Sequence, residues 1–177
     1  AMEAAEGGIW DWDLQQHKVY FSPGYTALLG LHPEALGDNR QHWEQRLHPD
    51  DRVTFARNIQ RRMSTLSTAP YEVSYRLQHQ DGSYRWIQAR GRLLLDKQGR
   101  AEHLIGTASD ITQQRKDEDS LRQAAVVFDA TQEGVLVTDA QQHVVHCNPA
   151  FTRITGYSEA EILGQSPSIL KSGRHDK

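Results

Sequence analysis

The stretch QQHVVHCNPAFTRITG, residues 141–156, places His143, His146 and the chain's single cysteine, Cys147, within five residues. Thiolate and imidazole are ligands that zinc accepts, and a thiolate beside imidazoles is also a redox centre. A closed zinc site needs four ligands, and no partner cluster of Cys or His stands elsewhere in the chain. A second group, His48 with Asp50 and Asp51 in HPDDR, fits a helix start better than a metal site, because early Asp charges suit the helix dipole.

A repeat decides the first case. GVLVTDAQQHVVHCNPAFTRITG (134–156) aligns without a gap under GIWDWDLQQHKVYFSPGYTALLG (8–30), with nine identities in 23 positions. Such self-similarity marks a duplicated structural unit. His143 falls on His17, but His146 falls on Tyr20 and Cys147 on Phe21. Two of the three supposed ligands are aromatic in the first copy, which implies packing. No metal ligand is assigned.

Other chemistry is equally sparse. P-loop, Gly-x-Ser-x-Gly, His-Glu-x-x-His and dinucleotide patterns are absent, as are a Gly-Gly-Asp-Glu-Phe motif and a kinase phospho-acceptor box. Glu34-Ala35-Leu36 spells a phosphodiesterase tripeptide but has no metal-binding carboxylates around it. No catalytic residue is assigned, and this stretch of chain is read as a non-enzyme.

The elements that carry these residues follow from periodicity. Residues 8–14 and 18–21 read as a hairpin, and Pro23 begins a short helix capped by Ser22 and ended by Gly30. Residues 33–36 are expected to add a helical turn and residues 40–47 a short helix with Trp43. After His48, Val53, Phe55, Ala56, Ile59 and Met63 recur at helical spacing. From Tyr71 the period becomes two, Asp81-Gly82 signals a hairpin, and strands follow at 84–95 and 103–111. The fold class is therefore α+β, with an antiparallel sheet and helices on one face. Residues 113–131 predict a helix whose face Leu121, Ala124, Ala125 and Phe128 packs on a partner helix or on the preceding sheet.

The chain has 177 residues, enough for one domain and part of another, with 37% hydrophobic and 24% charged residues. Net charge is −3 with no dense basic block, so no nucleic-acid surface is expected. One Cys allows no intrachain disulfide and fits the cytoplasm. No run has the roughly 18–20 apolar residues of a membrane span, and AMEAAEGG lacks a signal peptide's pattern. The parent could still be membrane-anchored.

The motifs GIWDWDLQQHKVYFSPGYTALLG, LHPDDR and YRLQHQDGSYRWIQARGRLLLDKQGRAEHLIGTASDITQQRKDEDSLR resemble a PAS domain with its C-terminal PAC segment. NPAFTRITGYSEAEILGQ and LKSGRHDK resemble the first part of a second one. The resemblance implies a five-stranded PAS fold over 8–112 after a tail at 1–7. A linker or signalling helix then spans 113–132, and the start of a second copy spans 133–177. That truncated copy is expected to pack on the linker helix or exchange with another chain.

By this resemblance the chain is a sensory module of a bacterial signal-transduction protein. It relays a ligand or partner state to a downstream output domain, with cyclic-di-GMP synthesis or hydrolysis first, a histidine kinase second, and a ligand-free dimerisation spacer as the alternative. A homodimer through the linker helix or PAS surfaces is implied. Asp110, Ile111 and Thr112, where such domains hand over to the signalling helix, carry the relay with Leu121 and Phe128. A ligand would lie beside Trp43, Phe55, Ile59 and Tyr75, in space left by Ala89, Gly91 and Gly106; the same small residues equally allow a filled core. The photochemical flavin subtype needs a Cys that the first copy's helices lack. Haem needs an axial His absent from DRVTFARNIQRRMS, which leaves only His42 and His48 nearby. A non-covalent flavin or a small metabolite remains open.

Overall fold

The computed structural model describes residues 7–171. Most of the expected tail and residues 172–177 of the second copy lie outside the described residues. The chain divides into two compact units between Arg115 and Lys116.

The first unit opens with the hairpin β1 (Gly8–Asp13) and β2 (Lys18–Phe21). Three helices follow, α1 (Pro23–Leu28), α2 (Arg40–Arg46) and α3 (Pro49–Thr65), and then three long strands, β3 (Tyr71–Gln78), β4 (Tyr84–Leu95) and β5 (Ala101–Asp110). The antiparallel sheet has the order β2-β1-β5-β4-β3, so the first and last strands meet at its centre.

Local chemistry sets the helix starts. The Ser22 hydroxyl accepts from Tyr25 N ahead of Pro23, and Asn39 Oδ1 accepts from Gln41 N. His48 caps α3, its Nδ1 accepting from Asp50 N at 3.2 Å. The turn expected at 33–36 is not a helix. The bonds Ala35 N to His32 O and Gly37 N to Glu34 O are not consecutive, and Gly37 turns left-handed at φ +60°, so the segment folds as separate turns. The last strand begins at Ala101, two residues before its expected start.

Alternation along the strands sends one set of side chains under the helices. Trp10, Leu104, Leu93, Ala108, Ala89, Ile87, Tyr75 and Leu77 are buried there with Tyr25, Leu29, Leu36, Trp43 and Leu47 from the helical segment.

α4 (Thr112–Ala130) leads into the second unit, which holds the hairpin β6 (Leu136–Thr138) and β7 (Val144–Cys147) and the short helices α5 (Pro149–Thr155) and α6 (Glu159–Ile162). Its small core is Val144, Cys147, Phe151, Tyr157 and Ile162. The repeat is visible at the caps. Asn148 stands where Ser22 does, before Pro149, but its longer side chain does more. Oδ1 accepts from Val135 N and Phe151 N, and Nδ2 donates to Phe128 O and Glu133 O, which ties the hairpin unit to α4. The apolar face of α4, expected to pack on a partner helix or on the preceding sheet, borders this hairpin, with Leu121, Ala124 and Ala125 left exposed. Leu121, Ala124, Ala125 and Phe128 line a groove with Val137, Cys147 and Pro149, although Leu121 stays 72% exposed.

Candidate functional site

Between sheet and helices the first unit holds a partly open cavity of about 40 Å³. Of the residues expected to frame a ligand, Trp43 (α2), Phe55 and Ile59 (α3), Tyr75 (β3) and Ala89 (β4) line it together. Trp10, Trp12, Phe21, Tyr25, Arg40 and Tyr71 also line it and were not among the pocket residues expected. A larger outer cleft of about 490 Å³ shares Phe55, Ile59, Tyr71 and Val73 with it, and Arg61 and Arg62 stand at its rim.

Gly91 and Gly106 have a different occupant. The registers place Trp10 opposite Gly106 and Gly106 opposite Gly91 in one row across the sheet. A methyl group on either glycine would lie within 2.8 Å of the Trp10 ring. The indole of Trp10 therefore lies over both glycines and fills the space their missing side chains leave.

This geometry decides which larger ligands fit. Sites for drug-sized molecules run to about 300–1,000 Å³, far above this void, and the flat slot over the glycines is taken by an indole. A flavin ring does not fit these residues. Haem does not fit either: α3 carries no histidine, His42 is exposed, and His48 is engaged as a cap with its ring against Tyr84 at 4.5 Å.

Aromatic edges pack the cavity. Trp43 meets Phe55 at 5.0 Å and Tyr75 edge-on at 5.5 Å. A polar corner lies between Trp43 Nε1, which donates to Tyr25 Oη at 2.7 Å, and Tyr75 Oη, 3.5 Å from Tyr25 Oη. Burial pushes the Tyr25 phenol up to about 12 and Tyr75 well above the ordinary tyrosine value.

A second cluster surrounds Trp86 where the sheet meets α4. Ile111 N donates to Trp86 O and Trp86 N donates to Thr112 Oγ1, both at 2.8 Å, while Asp110 Oδ1 accepts from Thr112 N. The expected relay residues Asp110, Ile111 and Thr112 thus converge on Trp86, whereas Leu121 and Phe128 belong to the second unit. The guanidinium of Arg115, in the first turn of α4, lies 3.9 Å over the Trp86 ring, and that of Arg76 lies 5.1 Å from it. Arg76 is in turn held by Asp51 at the start of α3. Asp51 accepts from Arg76 N at 2.8 Å, Nε at 3.0 Å and a terminal nitrogen at 2.6 Å. The Arg76 hydrogen bonds hold the Asp51 carboxyl below the usual carboxylate range.

Sequence reading placed Asp51 only as a helix-start charge and missed Arg76, Trp86 and Arg115. The signal available was Trp86 itself, an aromatic ring on the strand face it shares with Gln88, Arg90 and Arg92.

Among the described residues no three His, Cys, Asp or Glu side chains gather to hold a metal ion. Cys147 is buried in the hairpin core, and His143 lies in the preceding turn, where Asp139 Oδ1 accepts its backbone N–H. Among the described residues no helix is long and apolar enough to cross a membrane.

Comparison with known proteins gives the same architecture. A family described as "PAS fold" matches residues 18–108, and another of that description matches residues 122–176. The Escherichia coli protein named "Probable diguanylate cyclase DgcE" is 28% identical over 93% of this chain and 15% of its own length. The Bradyrhizobium diazoefficiens "Sensor protein FixL" is 29% identical over 96% of this chain and 34% of its own length. This chain therefore spans about a third or less of these relatives. A crystal structure of a sensory box histidine kinase/response regulator from Burkholderia thailandensis superposes with a TM-score of 0.58 at 30% identity, covering 69% of this chain and 89% of that one.

Proposed function

Because this chain belongs to the PAS fold family, with kin in diguanylate cyclases and histidine kinases, we propose that its first unit senses through the aromatic cavity and signals through α4. One observation carries this reading: a continuous set of contacts joins the cavity wall to the output helix. α3 supplies Phe55 and Ile59 to the cavity and Asp51 to Arg76; Arg76 touches Trp86, and Trp86 holds Ile111, Thr112 and Arg115. A change that moves α3 alters the seat of α4's first turn. A ligand acts only in so far as it binds one arrangement better than the other.

The parts are read as a sensory unit at 8–112, a signalling helix at 113–132 and the start of a second PAS copy at 133–177. The pocket residues are Trp43, Phe55, Ile59, Tyr75 and Ala89, with Gly91 and Gly106 as the seat of Trp10. We place the module in the cytoplasm of a bacterial signalling protein whose output is cyclic-di-GMP turnover. The match to the diguanylate cyclase across both units supports that output; the 30% identity to the sensory box histidine kinase/response regulator over 69% of this chain supports a histidine kinase as the second reading. Homodimerisation through α4 belongs to the same reading, supported by exposed Leu121, Val126 and Val127.

Hydrogen exchange tests the sensing role. Ala89→Leu adds bulk to the cavity wall and should change protection at residues 112–116, far along the chain from the substitution. Unchanged protection there, in a folded variant, would defeat the sensing role.

A further inference from the structure

The polar corner of the cavity holds one donor proton without a partner, because two hydroxyls share a single hydrogen bond between them. Trp43, Tyr25 and Tyr75 bring three donor protons to two hydroxyl oxygens. Whichever tyrosine donates across the 3.5 Å contact, one hydroxyl proton has no acceptor among the described residues. Tyr25 is 1% and Tyr75 4% exposed, and both line the cavity. Burial keeps both phenols protonated throughout the physiological range, so the surplus is a donor at any relevant pH.

The remaining walls restrict what can meet it. Arg40, the one charged residue in the lining, is paired with Glu44 and lies 4.1 Å over the Trp12 ring, so no free charge faces the void. A charged occupant would lose its hydration without a partner. A water would accept the proton but bring two of its own into an apolar hole. A carbonyl accepts and brings none.

Size sets the last limit. About 40 Å³ exceeds the roughly 10–15 Å³ that admits one water and falls short of the roughly 150 Å³ void that takes benzene. We infer that the cavity binds a small neutral molecule with a carbonyl-type acceptor, seated on the Tyr25–Tyr75 hydroxyls. This rests on reading the cavity as the input site. The outer cleft, which shares Phe55, Ile59 and Tyr71 with the cavity, is the route of entry.

Propanone and 2-propanol share a carbon skeleton and differ in whether the oxygen carries a proton, so the pair isolates this chemistry. Each is titrated into the isotopically labelled full chain while the Trp43 indole N–H and neighbouring amides are followed by NMR. Propanone should give a saturable shift at Trp43 and bind about tenfold more tightly than 2-propanol. Ala89→Leu should abolish the shift, its own spectrum showing whether it is folded; the wild-type pair decides the matter without it. Equal or tighter binding of 2-propanol, or no saturable shift at Trp43, would overturn the inference. Propanone binding with unchanged protection of α4 would uphold the ligand class and refute only the relay.

Discussion

Replacing Asp51 by Asn perturbs the contact between α3 and Trp86 at its narrowest point. The carboxylate accepts three hydrogen bonds from Arg76, two of them from a guanidinium it grips bidentately, and the two side chains are only 18% and 26% exposed. Asn keeps one acceptor and the shape but loses the charge and the fork. Hydrogen bonds to charged groups contribute about 1.5–3 kcal/mol, so Asp51→Asn should cost about 2 kcal/mol and lower the Tm by roughly 10 °C for a domain near 100 residues. The deficit also has a pH signature. Arg76 holds the Asp51 carboxyl below its unfolded value of about 3.9, so the stabilisation is present above that pH and lost as pH falls through the lower, folded value. Thermal unfolding followed by circular dichroism, from pH 7 down to about pH 3, should show the wild-type advantage shrinking at the acid end. A variant that melts with wild type at pH 7, or whose deficit persists undiminished in acid, would refute the reasoning.

Three further outcomes follow from named contacts. Gly106→Ala places its methyl 2.0 Å from the Arg90 carbonyl, so it should destabilise the fold even alongside Trp10→Ala; urea unfolding of the double variant checks this. His103 Nδ1 lies 2.7 Å from Asp11 Oδ1, which raises the His103 pKa. The stability this pair gives should be complete below the unfolded value of about 6.5 and lost as pH rises through the folded one, a trend that Asp11→Asn should flatten in unfolding curves. Asn148→Ser, which restores the first copy's residue, keeps a cap for Phe151 N but abandons Phe128 O and Glu133 O. It should cost about 1–3 kcal/mol and raise amide exchange at the end of α4.

The fold was legible because its signals are local. Ser22-Pro23, Asp81-Gly82 and the period of two from Tyr71 each act within a few residues. The site was legible only in part, because strand register decides it. Nothing in the sequence places Trp10 opposite Gly106 and Gly106 opposite Gly91, so the two glycines allowed either ligand space or a filled core, and only the register shows the indole over them. The Trp86 cluster was hidden for the same reason: Asp51, Arg76, Trp86 and Arg115 are scattered over 65 positions and meet only when α3, β3, β4 and the start of α4 are assembled. The segment at 33–36 misled because Pro33 and Glu34 suit a helix start, while Gly37 ends it before two consecutive turns can form.

The most direct test of coupling between cavity and output helix is a double-mutant cycle read at residues 112–116 by hydrogen exchange. Ala89→Leu perturbs the cavity, Trp86→Ala removes the ring that Arg76 and Arg115 share, and the pair is compared with each alone. The coupling predicts that Ala89→Leu changes protection at 112–116 when Trp86 is present and has no effect there when it is absent. The same response with and without Trp86 would contradict it.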